Sequence, residues 1–196
     1  KIKIGFDANG DAMGNTARES APFAILRIVK SAADKLEASN ANVTMPMLNL
    51  YWSGDNLAAG GDKALGQIGT SHYAGSGTFP GVFILGKADA DTDEFDQGVI
   101  GHEFGHYLQA QLSFSDSLGG SHSLSQFKDA SLAYGEGYGT AVGGLLASGP
   151  NAKFYCDVSG ASQSRGACED LSSSSFPGQY GPNGFYAESS VSYLMY

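Results

Sequence analysis

The chain has 196 residues, 42% of them hydrophobic, which fits one ordinary-sized domain with a real core and excludes a wholly disordered chain despite 28 glycines. Eleven basic against 20 acidic residues leave a net charge of −9. With no Lys/Arg cluster, this argues against nucleic acid and anionic lipid as partners, since both need local positive charge. No apolar run approaches the roughly 20 residues of a membrane helix, so no membrane insertion is expected.

In chain order, residues 1–15 read as a short strand followed by a turn carrying Asp7, Asn9 and Asp11. Counted as an EF-hand from Asp7, the sixth position is Ala12 and the twelfth Arg18, so the calcium-loop pattern fails there. Residues 1–16 are assigned to a linker or edge strand. Residues 17–39 predict a helix whose buried face carries Ala24, Ile25, Ile28, Val29, Ala32 and Leu36. Residues 43–52 predict a strand, with Pro46 marking an edge or bend. Residues 54–78 predict a long loop or hairpin, and His72 reads as a loop residue. Residues 82–85 (Val-Phe-Ile-Leu) predict a buried strand.

Residues 92–113 carry the clearest helical pattern. Asp91 and Glu94 resemble a capping box, and the acidic run from Asp89 to Asp96 suits a helix N-terminus, with a Ca²⁺ site as the alternative. Residues 126–147 predict a third helix, small on one side through Gly135, Gly137, Gly139, Gly143 and Gly144, so that another backbone can approach closely. Residues 149–184 predict mainly loop, and a last helix is expected to start near Tyr186. Cys156 and Cys168 flank a Ser/Gly-rich segment. A loop-closing disulfide is expected over two free buried thiols, contributing about 3 kcal/mol and implying an oxidising compartment. The ends, Lys1-Ile2-Lys3-Ile4 and the apolar stretch up to Tyr196, read as those of a mature or excised piece, expected to lack the rest of its last helix.

Chemistry concentrates in His102-Glu103-Phe104-Gly105-His106. Two histidines four apart share one helix face and can converge on one metal ion. Glu103 is displaced around the helix, where it can serve as general base toward the water that such a metal activates. Ile100, Phe104, Leu108 and Leu112 form the opposite, core-facing stripe. A tetrahedral catalytic zinc needs a third protein ligand. A metzincin would continue with Gly at 109 and His at 112, but these positions hold Gln109 and Leu112. His122 and Glu136 remain, and Glu136, 30 residues after His106 on the next predicted helix, is the better placed.

His102-Glu103-x-x-His106 followed by a helix with Glu136 resembles the gluzincin group of zinc metallopeptidases, and the compact size resembles its small catalytic cores, the minigluzincins. The resemblance covers residues 17–148 and, more weakly, the last helix. Tyr73, the stretch 116–122 and the stretch 184–190 are similar to segments of uncharacterised secreted bacterial proteins of this type. It implies an α+β fold, a small sheet packed on three to four helices, with a metal helix, a glutamate helix and a closing helix. It also implies one catalytic domain over residues 1–196, Zn²⁺ held by His102, His106 and Glu136, and a peptide or protein substrate. Many gluzincins place an Asp four residues after the glutamate ligand to hold the first histidine. Here that position is Thr140, whose hydroxyl can accept the imidazole N–H without charge, and Asp116 is a substitute candidate. Tyr138, His122 and Tyr186 are candidate oxyanion donors.

The expectation is therefore a secreted, periplasmic or cell-surface zinc endopeptidase with Glu103 as general base. The strand at 82–85 is expected to pair with substrate backbone. The alternative is a non-enzymatic secreted module whose acidic loops bind Ca²⁺ or a protein partner.

Overall fold

A computed structural model describes residues 20–88, 90–124, 126–147, 153–159, 164–173 and 183–196. The strand and turn expected in residues 1–15 lie outside them. The described chain is α+β: four α-helices, a three-stranded sheet and a two-stranded hairpin.

Helix α1 (Ala21–Ser39) starts with Pro22 in its first turn, where a missing N–H costs nothing. Its Ala24, Ile25, Ile28 and Ala32 are buried, three- and four-residue steps on one face. Strand β1 (Leu50–Trp52) is shorter than the expected 43–52. Pro46 lies in the irregular run before it, its carbonyl accepting from the Tyr107 hydroxyl. The region expected as loop or hairpin contains a 3₁₀ turn (Lys63–Leu65) and strand β2 (His72–Ala74). Strand β3 (Gly81–Ile84) is wholly buried.

The sheet order is β1-β3-β2, with β1 parallel and β2 antiparallel to β3. This corrects the expected substrate-pairing strand. Residues 82–85 include most of the central strand, whose backbone is engaged on both sides, so it has no edge to offer. Among the described residues the outer strands of this sheet are β1 and β2, and on β2 the Tyr73 N–H donates to Glu103. The pleat sends Val82 and Ile84 to one core with Ile25, Ile28 and Ile100, and Phe83 and Leu85 to another with Ile68.

Helix α2 (Gln97–Leu112) begins five residues later than expected. The Asp91/Glu94 capping box does not form. The cap is Asp96, whose Oδ1 accepts from the Gly98 and Val99 N–H groups at 2.9 and 3.2 Å. Ile100, Phe104 and Leu108 are buried as expected, but Leu112, in the last turn beyond the core, is 48% exposed. Helix α3 (Ala130–Leu146) is capped by Asp129. It lies against α2 almost backbone to backbone. A Cβ at Gly105 would stand 2.9 Å from Gly139 Cα, and one at Gly101 would stand 3.0 Å from Gly143 Cα.

Residues 149–184, expected to be mainly loop, hold a hairpin of β4 (Phe154–Ser159) and β5 (Ser164–Asp170). Cys156 and Cys168 are directly opposed in it and form the expected disulfide. The hairpin covers the first turn of α2, where Gly98 sits against the Cys156 backbone. Helix α4 (Glu188–Met195) packs Val191 on Gly137 of α3. No described helix is long and apolar enough to cross a membrane.

Candidate metal centre

The one-turn spacing on α2 stacks His102 above His106, with ring planes at 84° and Nε2 atoms 3.0 Å apart. The glycine contact between α2 and α3 lets Glu136 reach the same point. Its Oε2 lies 3.0 Å from His102 Nε2 and 3.2 Å from His106 Nε2. Gly139, one turn along α3, sits under the His102 ring; a Cβ there would be 3.1 Å from three ring atoms.

Thr140 Oγ1 lies 3.1 Å from His102 Nδ1. A neutral His102 that donates from Nδ1 to this hydroxyl has its lone pair on Nε2, directed at Glu136 and His106. Thr140 thus occupies the orienting position, and Asp116 lies in the exposed segment after α2.

His122 joins the cluster from the loop between α2 and α3. Its Nε2 is 3.3 Å from Glu136 Oε2, and about a third of its side chain (32%) is exposed. Its Nδ1 is 3.2 Å from Glu188 Oε2 at the start of α4. The same Glu188 oxygen accepts from Lys128 Nζ at 2.6 Å, and Lys128 also donates to the Ser123 carbonyl at 2.9 Å. Glu103 sits beside the cluster, its Oε2 accepting the Tyr73 N–H of β2.

The cluster's electrostatics favour positive charge at its centre. At His102 burial works against charge, yet the Glu136 hydrogen bond and the Glu103, Glu136 and Glu188 charges outweigh it and raise the imidazole to about 9. Burial likewise opposes ionisation of Glu136, but hydrogen bonds to His102 and His106 hold its carboxyl well below the usual carboxylate range. Glu188 raises His122, chiefly by its hydrogen bond. Glu188 is itself lowered: burial opposes this, and the His122 and Lys128 hydrogen bonds prevail. Two imidazole nitrogens and a carboxylate oxygen drawn to one point form a donor set suited to a borderline-soft divalent cation such as zinc.

His102, His106 and Glu136 are brought together, and His122 stands against them. Tyr138 is not brought to the cluster. Two residues past Glu136 on a helix points to the other side, and its ring stacks on Tyr134 at 6.4 Å. Tyr186 is exposed and contributes its carbonyl to the Lys128 N–H. His72 lies on the outer sheet face, stacked on Phe83, with Nε2 2.8 Å from Lys63 Nζ. Sequence reasoning missed Glu188 and Lys128. Glu188 lay inside the quoted 184–190 stretch, whereas nothing in the sequence marks Lys128.

No protein family, curated protein or solved structure matches this chain.

Proposed function

We propose that the chain is a zinc-dependent endopeptidase of gluzincin type, zincin-like in fold. The observation that carries this reading is the convergence of His102 Nε2, His106 Nε2 and Glu136 Oε2 beside Glu103. His102, His106 and Glu136 would hold the metal, with Thr140 orienting His102. Zn²⁺ bound there supplies Lewis acidity, polarising a scissile carbonyl and making water acidic enough to lose a proton near neutral pH. Glu103 takes that proton and passes it to the leaving amine. His122, steered by Glu188, donates to the oxygen on which negative charge develops. The disulfide supports a secreted, periplasmic or cell-surface location.

Metal analysis combined with digestion of a peptide library tests the proposal. The expected result is one Zn²⁺ per chain, lost in Glu136→Ala, and internal peptide cleavage that stops on chelation and returns with zinc. A zinc-replete chain that cleaves no library peptide would overturn it.

A further inference from the structure

A second cluster of metal-ligating side chains lies apart from the His102 centre. Asp91 and Asp93 belong to the segment between β3 and α2, and Asp157 to β4. One carboxylate oxygen from each lies within 4.8 Å of the others. Such a cluster alone would be only three like charges. The decisive feature is Asp93, which is 3% exposed: its Oδ2 accepts from Ser71 Oγ at 2.5 Å, while its Oδ1 is shut off from solvent with no hydrogen-bond partner. Asp91 Oδ1 is likewise shut off and unpartnered. Orphaned carboxylate oxygens are costly to bury, and a cation beside them removes that cost.

The surrounding structure fixes these groups in place. The Asp93 N–H donates to the Leu85 carbonyl, and Ser71 Oγ accepts the Leu85 N–H. Asp157 sits at the register shift between Cys156 and Val158, the kind of bulge that re-aims a side chain. Left to protons alone, the cluster titrates abnormally. Burial, and behind it the charges of Asp91, Asp96 and Asp157, outweighs the Ser71 hydrogen bond and pushes the Asp93 carboxyl up to about 8.

We propose that Asp91, Asp93 and Asp157 hold a hard divalent cation, calcium, that ties the disulfide-bonded hairpin to the segment leading into α2. The donors are all oxygen, with neither imidazole nor thiolate, which selects against zinc. Calcium also accepts the irregular geometry of ligands drawn from a loop and a bulge, whereas magnesium demands a near-ideal octahedron. The cation clamps the hairpin over α2, where the Tyr155 ring lies 5.7 Å from that of His102. This site is independent of any reaction at the His102 centre.

The test uses the full zinc-loaded chain in calcium-free buffer, titrated with CaCl₂ alone and followed by thermal unfolding and equilibrium dialysis. The parent is expected to gain about 3–5 °C at a tenfold excess over Kd. It should also bind one more Ca²⁺ than either Asp93→Asn or Asp157→Asn. Both variants should lose the calcium response, keep their zinc, and unfold without calcium at or above the parent's temperature, because each removes a carboxyl group from a cluster whose crowding already drives Asp93 to hold a proton. Asp157 is solvent-exposed, so Asp157→Asn carries the test even if Asp93→Asn folds poorly. A parent indifferent to 10-fold more calcium than the roughly 10⁻³ M upper range of extracellular sites would overturn the proposal. So would a calcium response that survives in Asp157→Asn.

Discussion

The Tyr73 backbone N–H donates to Glu103 Oε2 across 2.7 Å. This bond joins the sheet edge to the helix that carries both histidines. It holds one carboxylate oxygen in place without spending a side chain. Glu103 is buried, so its rotamer is set by packing as well as by this bond.

Glu103→Gln preserves the contact, because the amide oxygen can still accept from Tyr73, but the amide cannot take a proton. The variant should keep zinc and lose about 10²–10⁴-fold in peptide hydrolysis. The loss should fall on kcat rather than KM, since the interaction is made in the transition state. Metal content and steady-state kinetics on one preparation check both halves. Near-normal turnover in a zinc-replete variant would refute Glu103 as general base.

In the proposed mechanism Glu188 acts through His122, whose Nδ1 it contacts, so its removal should alter a titration as well as a rate. Glu188→Gln keeps the shape and one acceptor oxygen but loses the charge that raises His122. A charged His122 is then lost at lower pH. The alkaline limb of the kcat profile should shift to lower pH. At the optimum kcat should fall about tenfold, short of the roughly 10²–10³ for deleting an oxyanion donor. A purely structural Glu188 would lower thermal stability and leave the limb where it was.

The convergence of His102 and His106 was legible because a four-residue step on a helix has only one geometric outcome. Glu136 was legible from its place 30 residues after His106 on the next predicted helix. The glycine pairs that let the two backbones approach, Gly101 with Gly143 and Gly105 with Gly139, show only in the fold. Contacts set by tertiary packing were not. Glu188 lies 66 residues from His122, and only the seating of α4 on α3 brings them together. Strand β2 is three residues long, too short for an alternation to register, so the sequence pattern marks only the buried run at 82–85 as a strand there. The β4–β5 hairpin escaped notice because its pairing rests on a cross-link and on α2 rather than on hydrophobic periodicity. Helix α2 starts later than expected because Asp96, rather than Asp91, accepts from its first N–H groups, while Asp93 turns inward to Ser71.

The disulfide closes a loop with a sequence separation of 12. Loop-closure entropy for that length gives about 3 kcal/mol, so the double variant Cys156→Ser/Cys168→Ser should unfold roughly 6–12 °C lower. Thiol titration of the denatured, unreduced parent should find no free thiol. Two free thiols would remove the argument for an oxidising compartment.

Glu169 on β5 offers a test of the core's electrostatics away from the His102–His106–Glu136 cluster. It is 1% exposed, and neither carboxylate oxygen has a hydrogen-bond partner among the described residues. Burial, with a smaller contribution from the Glu188 charge, raises its carboxyl to about 7 from an ordinary 4.5. Between those values the folded chain holds a proton that the unfolded chain has released. Stability therefore falls as pH rises from about 4.5 to 7, and the full penalty persists above that. Glu169→Gln cannot ionise and keeps the shape. At pH 8 it should be more stable than the parent by up to about 3 kcal/mol, and near pH 4 the two should unfold together. Thermal unfolding of both proteins at pH 4, 6 and 8 measures the difference, and because the two are compared at each pH, titration of the histidine cluster cancels. A difference that stays constant with pH would mean that Glu169 keeps the same protonation state throughout and that some partner offsets its burial.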